Sequence, residues 1–472
     1  MKGLQLIKKV LYLCIKYLIC KFERRKRLEL DCSLWGLTVN EKNHLVIGDC
    51  DCVELAEKYG TPLHVVDKDL LQKNYNKFYE SFNSHAIDFE IYSSYKTNSI
   101  PGILRVLHDS GAGAEVISPY ELWLACKLKV DPNSIVYNGP SKSNDGLKMA
   151  VKNKIKLINV NSFNEIESIE NIAEELETQA NVGVRICPGA GWSGQFGFKI
   201  KSGEAFRAFE KLSKMKCMEI KGIHAHLGTG IKSTFMYERA IEDIFEFINE
   251  IRNKIGICIR YVDLGGGFGV PTVRPFGRIE SRLNGAFGRP YTSPSFKDTP
   301  SMETFANRIV TAIQKECEKY KLELPVLLFE PGRVITSNAE ILLAQVGDLK
   351  DRNSDLEMAI INAGINIAFP VNWEYHEILA ANKMNSKYEK FYSIAGPLCT
   401  PADLLYKIKK LPSLEVSDIV SIMDAGAYFT SFSSNFSFPR PAIVMVSDGN
   451  HYILRGREGY EDMISLDNFY SG

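Results

Sequence analysis

From about residue 85 the chain alternates between two textures. Short runs rich in β-branched and aromatic residues are followed by longer stretches with apolar positions at helical spacing. The runs are FEIYSSYK (89–96), AEVIS (114–118), IVYNG (135–139), KLINV (156–160), VGVRI (182–186), GIHAH (222–226), YVDLG (261–265) and VLLFEP (326–331). Helix-like segments such as PYELWLACKLK and FMYERAIEDIFEFINEIRNK lie between them. Strands that alternate with helices pair in parallel, and eight such units are the number that closes a (β/α)8 barrel. The pattern predicts an α/β fold over residues 68–337. Strand count favours a closed TIM-type barrel over a doubly wound open sheet.

After Asn338 the texture changes. Candidate strands ILLAQVGDL, EMAIINA, FYSIAGP, IVSIMDA, AIVMVS and HYILRGRE crowd together, and long helical patterns are scarce. Residues 338–472 are expected to form a mostly antiparallel β domain, a barrel or a sandwich. Residues 34–67, ending in GTPLHVVD, are also strand-like and are expected to contribute to it. The stretch 271–300 holds Pro271, Pro275, Pro290, Pro294 and Pro300. It falls after the seventh strand, where a barrel carries active-site loops. Residues 1–33 read as a basic and apolar extension. Within it, the apolar run of 3–26 is broken by Lys8, Lys9, Lys16 and Lys21. That pattern suits neither a membrane-spanning helix nor a signal peptide. The first reading is an extension outside the catalytic fold; the second is a basic amphipathic helix lying on a membrane surface.

Composition narrows the class further. With 472 residues, 45% of them hydrophobic and 24% charged, the chain is an ordinary globular one, neither collagenous nor largely disordered. Lys plus Arg and Asp plus Glu each number 57, so no net positive charge recommends nucleic acid as a partner. The 11 cysteines include no CxxC pair, and Cys50 and Cys52 have no second pair to complete a zinc site. A reducing cytoplasm and no structural metal are expected.

Candidate chemistry gathers at the strand ends, where such barrels hold their active sites. The first strand ends in Tyr95–Lys96–Thr97–Asn98 and the sixth in His224–Ala225–His226–Leu227–Gly228–Thr229. The seventh ends in Asp263–Leu264–Gly265–Gly266–Gly267–Phe268–Gly269 and the eighth in Glu330–Pro331–Gly332–Arg333. Singly, each has an ordinary explanation: a solvated lysine, a core histidine, a tight turn, a structural ion pair. Together, at one face of one barrel, they suit pyridoxal phosphate (PLP). Three glycines free backbone N–H groups for a phosphate, and Arg333 adds a charge-assisted bond. Lys96 can form a Schiff base. Glu330 can keep the pyridine nitrogen protonated, and His226 can stack on the ring. Competing motifs fail: GGGFG lacks dinucleotide-binding spacing, and HExxH and GxSxG are absent. His224 and His226 are read as pointing to opposite faces of their strand, and so as sharing no metal.

These residues make the chain resemble the diaminopimelate/ornithine decarboxylase family, PLP enzymes of the alanine-racemase-like fold type. The likeness runs from about residue 34 to 468. It rests on YKTN (95–98), GAGAEVISPYEL (111–122), HAHLGTG (224–230), VDLGGGFG (262–269), EPGR (330–333), GPLCTPADLL (396–405), DAGAY (424–428) and RGREGYEDM (455–463). The diaminopimelate branch fits best. The resemblance implies a homodimer with shared active sites, Lys96 carrying PLP and His226 stacking on it. Thr229 stands for a serine beside the phosphate. Gly265, Gly266, Gly267, Arg333 and Tyr428 hold the phosphate, and Glu330 pairs the ring nitrogen. Cys399, from the second subunit, is the implied proton donor after carbon dioxide leaves.

The departures from the family concern the substrate's tail. The diaminopimelate branch has CESGD where this chain has CTPAD, so Thr400 replaces a glutamate, two residues from Ala402–Asp403. Its RPxxY motif becomes Phe369–Pro370–Val371–Asn372–Trp373. A zwitterionic tail left without counter-charges loses roughly 1–3 kcal/mol per unpaired group. Phe369, Trp373, Thr400 and Asp403 are therefore expected to line a site for a neutral, acylated or carrier-protein-bound amino acid, of a siderophore or aminoglycoside type. Diaminopimelate itself is the alternative, its tail gripped by Arg274, Arg278 or Arg289. A racemase and a non-catalytic regulatory homologue are the remaining readings. Cys399 speaks against the former and the complete set of strand-end residues against the latter.

Overall fold

A computed structural model describes residues 31–277, 280–282, 299–351 and 356–468. The extension at 3–26 and the arginines Arg278 and Arg289 lie outside the described residues. The chain divides into two compact units. One spans Asp69–Val270 and Lys297–Ser337. The other gathers the described residues before it, those from Asn338 onward and those that follow Pro271.

The first unit is an eight-stranded parallel barrel. Its strands are β1 (Phe89–Ser94), β2 (Gly113–Val116), β3 (Ile135–Tyr137), β4 (Leu157–Val160), β5 (Ala180–Cys187), β6 (Met218–His224), β7 (Tyr261–Asp263) and β8 (Val326–Phe329). Each pairs in parallel with the next, β8 returns to β1, and no edge is left unpaired around the ring. All eight expected strands are present, which settles the choice between barrel and open sheet. β2, β3, β4 and β7 are buried along their whole length. That is why they read as continuous apolar runs rather than alternating ones. Tyr92, Val136, Leu157, Tyr261 and Leu328 pack together inside, while β1, β6 and β7 end in the polar residues Ser94, His224 and Asp263.

Helices follow the strands, and the longest connection, after β7, carries the segment from Pro271. Pro119–Lys127, Asn144–Lys152, Phe163–Glu175 and Met302–Tyr320 each start behind a serine. The hydroxyls of Ser118, Ser143, Ser162 and Ser301 accept the backbone N–H three residues on, satisfying donors that the first turn leaves free. The long helix Thr234–Ile255 buries Tyr237, Ile241, Ile244, Ile248 and Ile251, a stripe at helical spacing.

The second unit is a β domain. Its main sheet runs in the order Leu404–Leu411, Lys390–Ala395, Glu357–Ile361, Glu340–Asp351, Leu63–Asp67, Ala442–Ser447, Asn450–Arg455. Most pairings are antiparallel. Two are parallel: Glu357–Ile361 with Lys390–Ala395, and Leu63–Asp67 with Ala442–Ser447. Leu63–Asp67 is central, buried throughout, and joins strands far apart in sequence. Among the described residues, no helix is long and apolar enough to cross a membrane.

Candidate active site

The barrel's strand ends bring one connected polar network together. Lys96, two residues past β1, places Nζ 2.5 Å from Glu115 Oε2 at the end of β2. Glu115 is fully buried and also accepts from Ser94 Oγ (2.6 Å) and Asn138 Nδ2 (3.0 Å). Asn138, just past β3, donates as well to Glu330 Oε1 at 2.5 Å. Its own side-chain oxygen accepts from Asn159 Nδ2 of β4 at 2.8 Å. Five strand ends thus contribute to one hydrogen-bonded array beneath Lys96.

The histidines correct the sequence reading. His224 Nε2 lies 3.5 Å from Glu330 Oε1, and His226 Nδ1 lies 3.8 Å from Glu330 Oε2. Both rings face the same carboxylate. Residues two apart on an extended chain share a face, so the expectation of opposite faces was physically mistaken. Both rings are held toward the neutral form. Burial, with the positive charge of Lys96 and Arg185, pushes His226 down to about 3. Burial and Arg185 hold His224 well below the usual imidazole range. The backbone N–H of Gly266 donates to His226 Nδ1 at 3.3 Å. That leaves the proton of the neutral ring on Nε2.

Beneath the histidines the carboxyl groups divide. Burial, reinforced by Glu115, pushes Glu330 up to about 7. Burial and Glu330 hold Asp263 well above the usual carboxylate range. Burial also acts on Glu115, but Lys96, Ser94 and Asn138 outweigh it and hold that carboxyl below its ordinary value. Two buried groups therefore lean toward the neutral form while the one touching Lys96 stays ionised.

Gly265, Gly266 and Gly267 form the turn after β7. Gly265 and Gly267 have left-handed backbone, with φ of +65° and +90°. A Cβ at Gly265 would stand 2.6 Å from His226 Nδ1, and one at Gly266 or Gly267 would run into the backbone carbonyl of Glu330 or Gly228. Tyr237 Oη donates to the Gly266 carbonyl at 2.8 Å, and Asp263 Oδ1 accepts the Gly265 N–H at 2.8 Å. Thr229 follows the buried Gly228 and is itself exposed, and Arg333 is buried in the first turn after β8.

Sequence reasoning missed Glu115, Asn138 and Arg185. Glu115 and Asn138 sit at or just past strand ends, so the rule that found Lys96 and Glu330 would have found them. Arg185 stacks its guanidinium on Phe196 at 4.3 Å. Trp192, on the loop after β5, lies 5.5 Å from the His226 ring.

The remaining expected residues belong to the β domain. Phe369 and Trp373 meet edge to face at 4.8 Å, and both contact Phe432, which Tyr428 also approaches. Tyr428 has left-handed backbone, φ +72°. Cys399 is an exposed free thiol, and Thr400 is half-buried beside it. Asp403 has a different place from the one expected. It is buried, its two oxygens accept the N–H groups of Ile365 and Leu398 at 2.7 Å, and it sits against Gly364 and Gly396. A carboxylate used in this way pins two loops together and is not free to meet substrate.

The barrel residues fit PLP. An amine stands beside a buried anion, a glycine turn has no room for side chains, and a neutral imidazole and a buried carboxyl lie close by. Residues 69–337 match the family described as pyridoxal-dependent decarboxylase, pyridoxal binding domain. A Methanothermobacter thermautotrophicus protein named diaminopimelate decarboxylase is 30% identical over 444 residues, covering 92% of this chain and 97% of its own. A Bacillus subtilis protein of the same name is 30% identical over 443 residues, 91% and 96% of the two chains. The crystal structure of the diaminopimelate decarboxylase of Methanocaldococcus jannaschii superposes with a TM-score of 0.82 at 30% identity, over 92% of this chain and 98% of that one. By these matches the chain belongs to the pyridoxal-dependent amino-acid decarboxylases of the alanine-racemase-like fold type, on their diaminopimelate side.

Proposed function

We propose that the chain removes the α-carboxylate of an amino acid whose side chain ends in a neutral, acylated or carrier-bound group, releasing carbon dioxide and an amine. The observation that carries this is the aromatic cluster of Phe369, Trp373 and Phe432. It occupies the stretch where the diaminopimelate branch is expected to offer an arginine and a tyrosine to a distal carboxylate. Thr400 likewise offers no charge. Arg274, a candidate replacement, is held by Glu280 through both guanidinium nitrogens at 2.7 and 2.5 Å. A guanidinium already paired in this bidentate way has little left for a substrate.

In this reading Lys96 would carry PLP, the glycine turn, Thr229 and Arg333 would hold its phosphate, and Glu330 would serve the ring nitrogen. His226, being neutral, covers the ring without adding charge. Bound PLP supplies an electron sink for the bond to the departing carboxylate. Cys399, from a second copy of the chain, returns a proton to the α-carbon. The enzyme works in the cytoplasm as a homodimer.

The names of the relatives favour a second reading, diaminopimelate itself. Carbon dioxide release separates the two. PLP-loaded protein is given meso-diaminopimelate or a diamino acid acetylated on its distal nitrogen, with Lys96→Ala as the blank. The expected result is release from the capped substrate only. Robust release from diaminopimelate would overturn the proposal and make the second reading correct.

A further inference from the structure

Glu115 is a buried, multiply hydrogen-bonded group that the functional reading leaves without a task. It has no exposed surface, and Lys96 Nζ, Ser94 Oγ and Asn138 Nδ2 all donate to it within 3.0 Å. Three donors converge on two oxygens, an arrangement that suits a carboxylate and not a carboxylic acid. Burying an anion is costly unless it is paired, and the charge it pairs with is the amine of Lys96. We propose that Glu115 is the counter-ion of Lys96, keeping that nitrogen protonated both as the free amine and when it is bonded to PLP. The proposal rests on the reading that Lys96 carries the cofactor.

Glu115 is the carboxylate that the geometry places on Lys96 Nζ. Titratable groups that act on the pair include Glu121, Arg185, His224, His226, Asp263 and Glu330. Both histidines are neutral. Asp263 and Glu330 lean toward their protonated forms, and burial with Glu115 pushes Glu121 up to about 7. Arg185 is a second cation, so it cannot serve a protonated nitrogen. Asn138 adds a link: its amide donates to Glu115 and Glu330 at once. It thereby orients the anion at the lysine end against the carboxyl near the ring nitrogen. By holding the proton on Lys96, Glu115 would keep the lysine-bound cofactor ready to exchange that nitrogen for the substrate's amino group.

The test is a pH titration of the holoenzyme, following the absorbance of lysine-bound PLP in wild type, Glu115→Gln and Glu115→Asp. Borohydride reduction and peptide mapping of the same samples report which lysine carries the cofactor. With PLP on Lys96, the midpoint at which the protonated band gives way to the unprotonated one is expected to fall by about 1–3 pH units in Glu115→Gln. In Glu115→Asp, which keeps the charge, it falls by clearly less. An unchanged midpoint in Glu115→Gln overturns the counter-ion assignment and leaves the cofactor assignment standing. PLP mapped to another lysine overturns both. If Glu115→Gln retains no PLP, the same downward shift is read on the apoprotein as the pH dependence of amine acylation at Lys96. No shift there overturns the proposal.

Discussion

Gly266 shows how little freedom single residues have in this site. Its missing Cβ is the space taken by the Glu330 carbonyl, so β7 and β8 close on each other through a glycine. Gly266→Ala must push backbone rather than a flexible side chain. It is expected to cost about 1–3 kcal/mol, measurable by urea unfolding, and to weaken PLP binding. Glu330 gives a pH signature. Its carboxyl is pushed up to about 7 from an ordinary value of 4.5, so the fold favours the protonated form. The stability this gives is complete below the ordinary value and is lost as pH rises through about 7. Glu121 acts in the same direction. Thermal melts of the apoprotein should therefore show a fall in stability between about pH 4.5 and 7, and Glu330→Gln should flatten it. A wild-type and variant difference that is constant with pH would contradict this.

At the scale of elements, the same short device starts two helices beside the site. In Ser118–Pro119–Tyr120–Glu121 the serine hydroxyl accepts the Glu121 N–H, and the Glu121 carboxylate accepts the N–H of Ile117 at 2.7 Å. Ser162 and Glu165 repeat it, with Glu165 accepting from Asn161 at 2.6 Å. Each pair holds a strand end against the helix that follows it, a variant of the capping box. Ser118→Ala is expected to lower stability by about 0.5–2 kcal/mol in chemical denaturation. Strand ends themselves are where sequence reading was strongest and also where it slipped. Lys96, His226 and Glu330 stood out at those ends, and the fold brings them into one network. His224 was misjudged by a face, although the strand period of two settles it.

For the whole molecule, the barrel's ring of parallel strands is the device that turns separate sequence motifs into one site. Lys96 and Glu330 are far apart along the chain, yet β8 pairs with β1 and closes the gap. A ligand bound by such a ring stabilises all of it. At 100 times its dissociation constant, PLP should add about 2.7 kcal/mol to the folded state. The melting temperature should therefore rise on adding PLP to the apoprotein, and by less in Lys96→Ala, which keeps the cradle but loses the covalent bond. Equal shifts in the two proteins would argue against attachment at Lys96.

What the sequence determined by itself was periodicity and punctuation. Eight apolar runs, their helical partners and the change of texture after Asn338 all follow from local burial, which each run records in its own residues. The glycine turn and the EPGR stretch were legible for the same reason, since their chemistry is carried by neighbours in sequence. Tertiary structure alone decided the pairings of distant residues. Glu115 meets Lys96 because β1 and β2 lie side by side, and Asp403 is taken up by the N–H groups of Ile365 and Leu398. It also decided that Leu63–Asp67 runs between Glu340–Asp351 and Ala442–Ser447. Charge state belongs to this second group as well. A carboxyl's ionisation depends on burial and on the charges around it, and both come from parts of the chain that the local sequence does not contain.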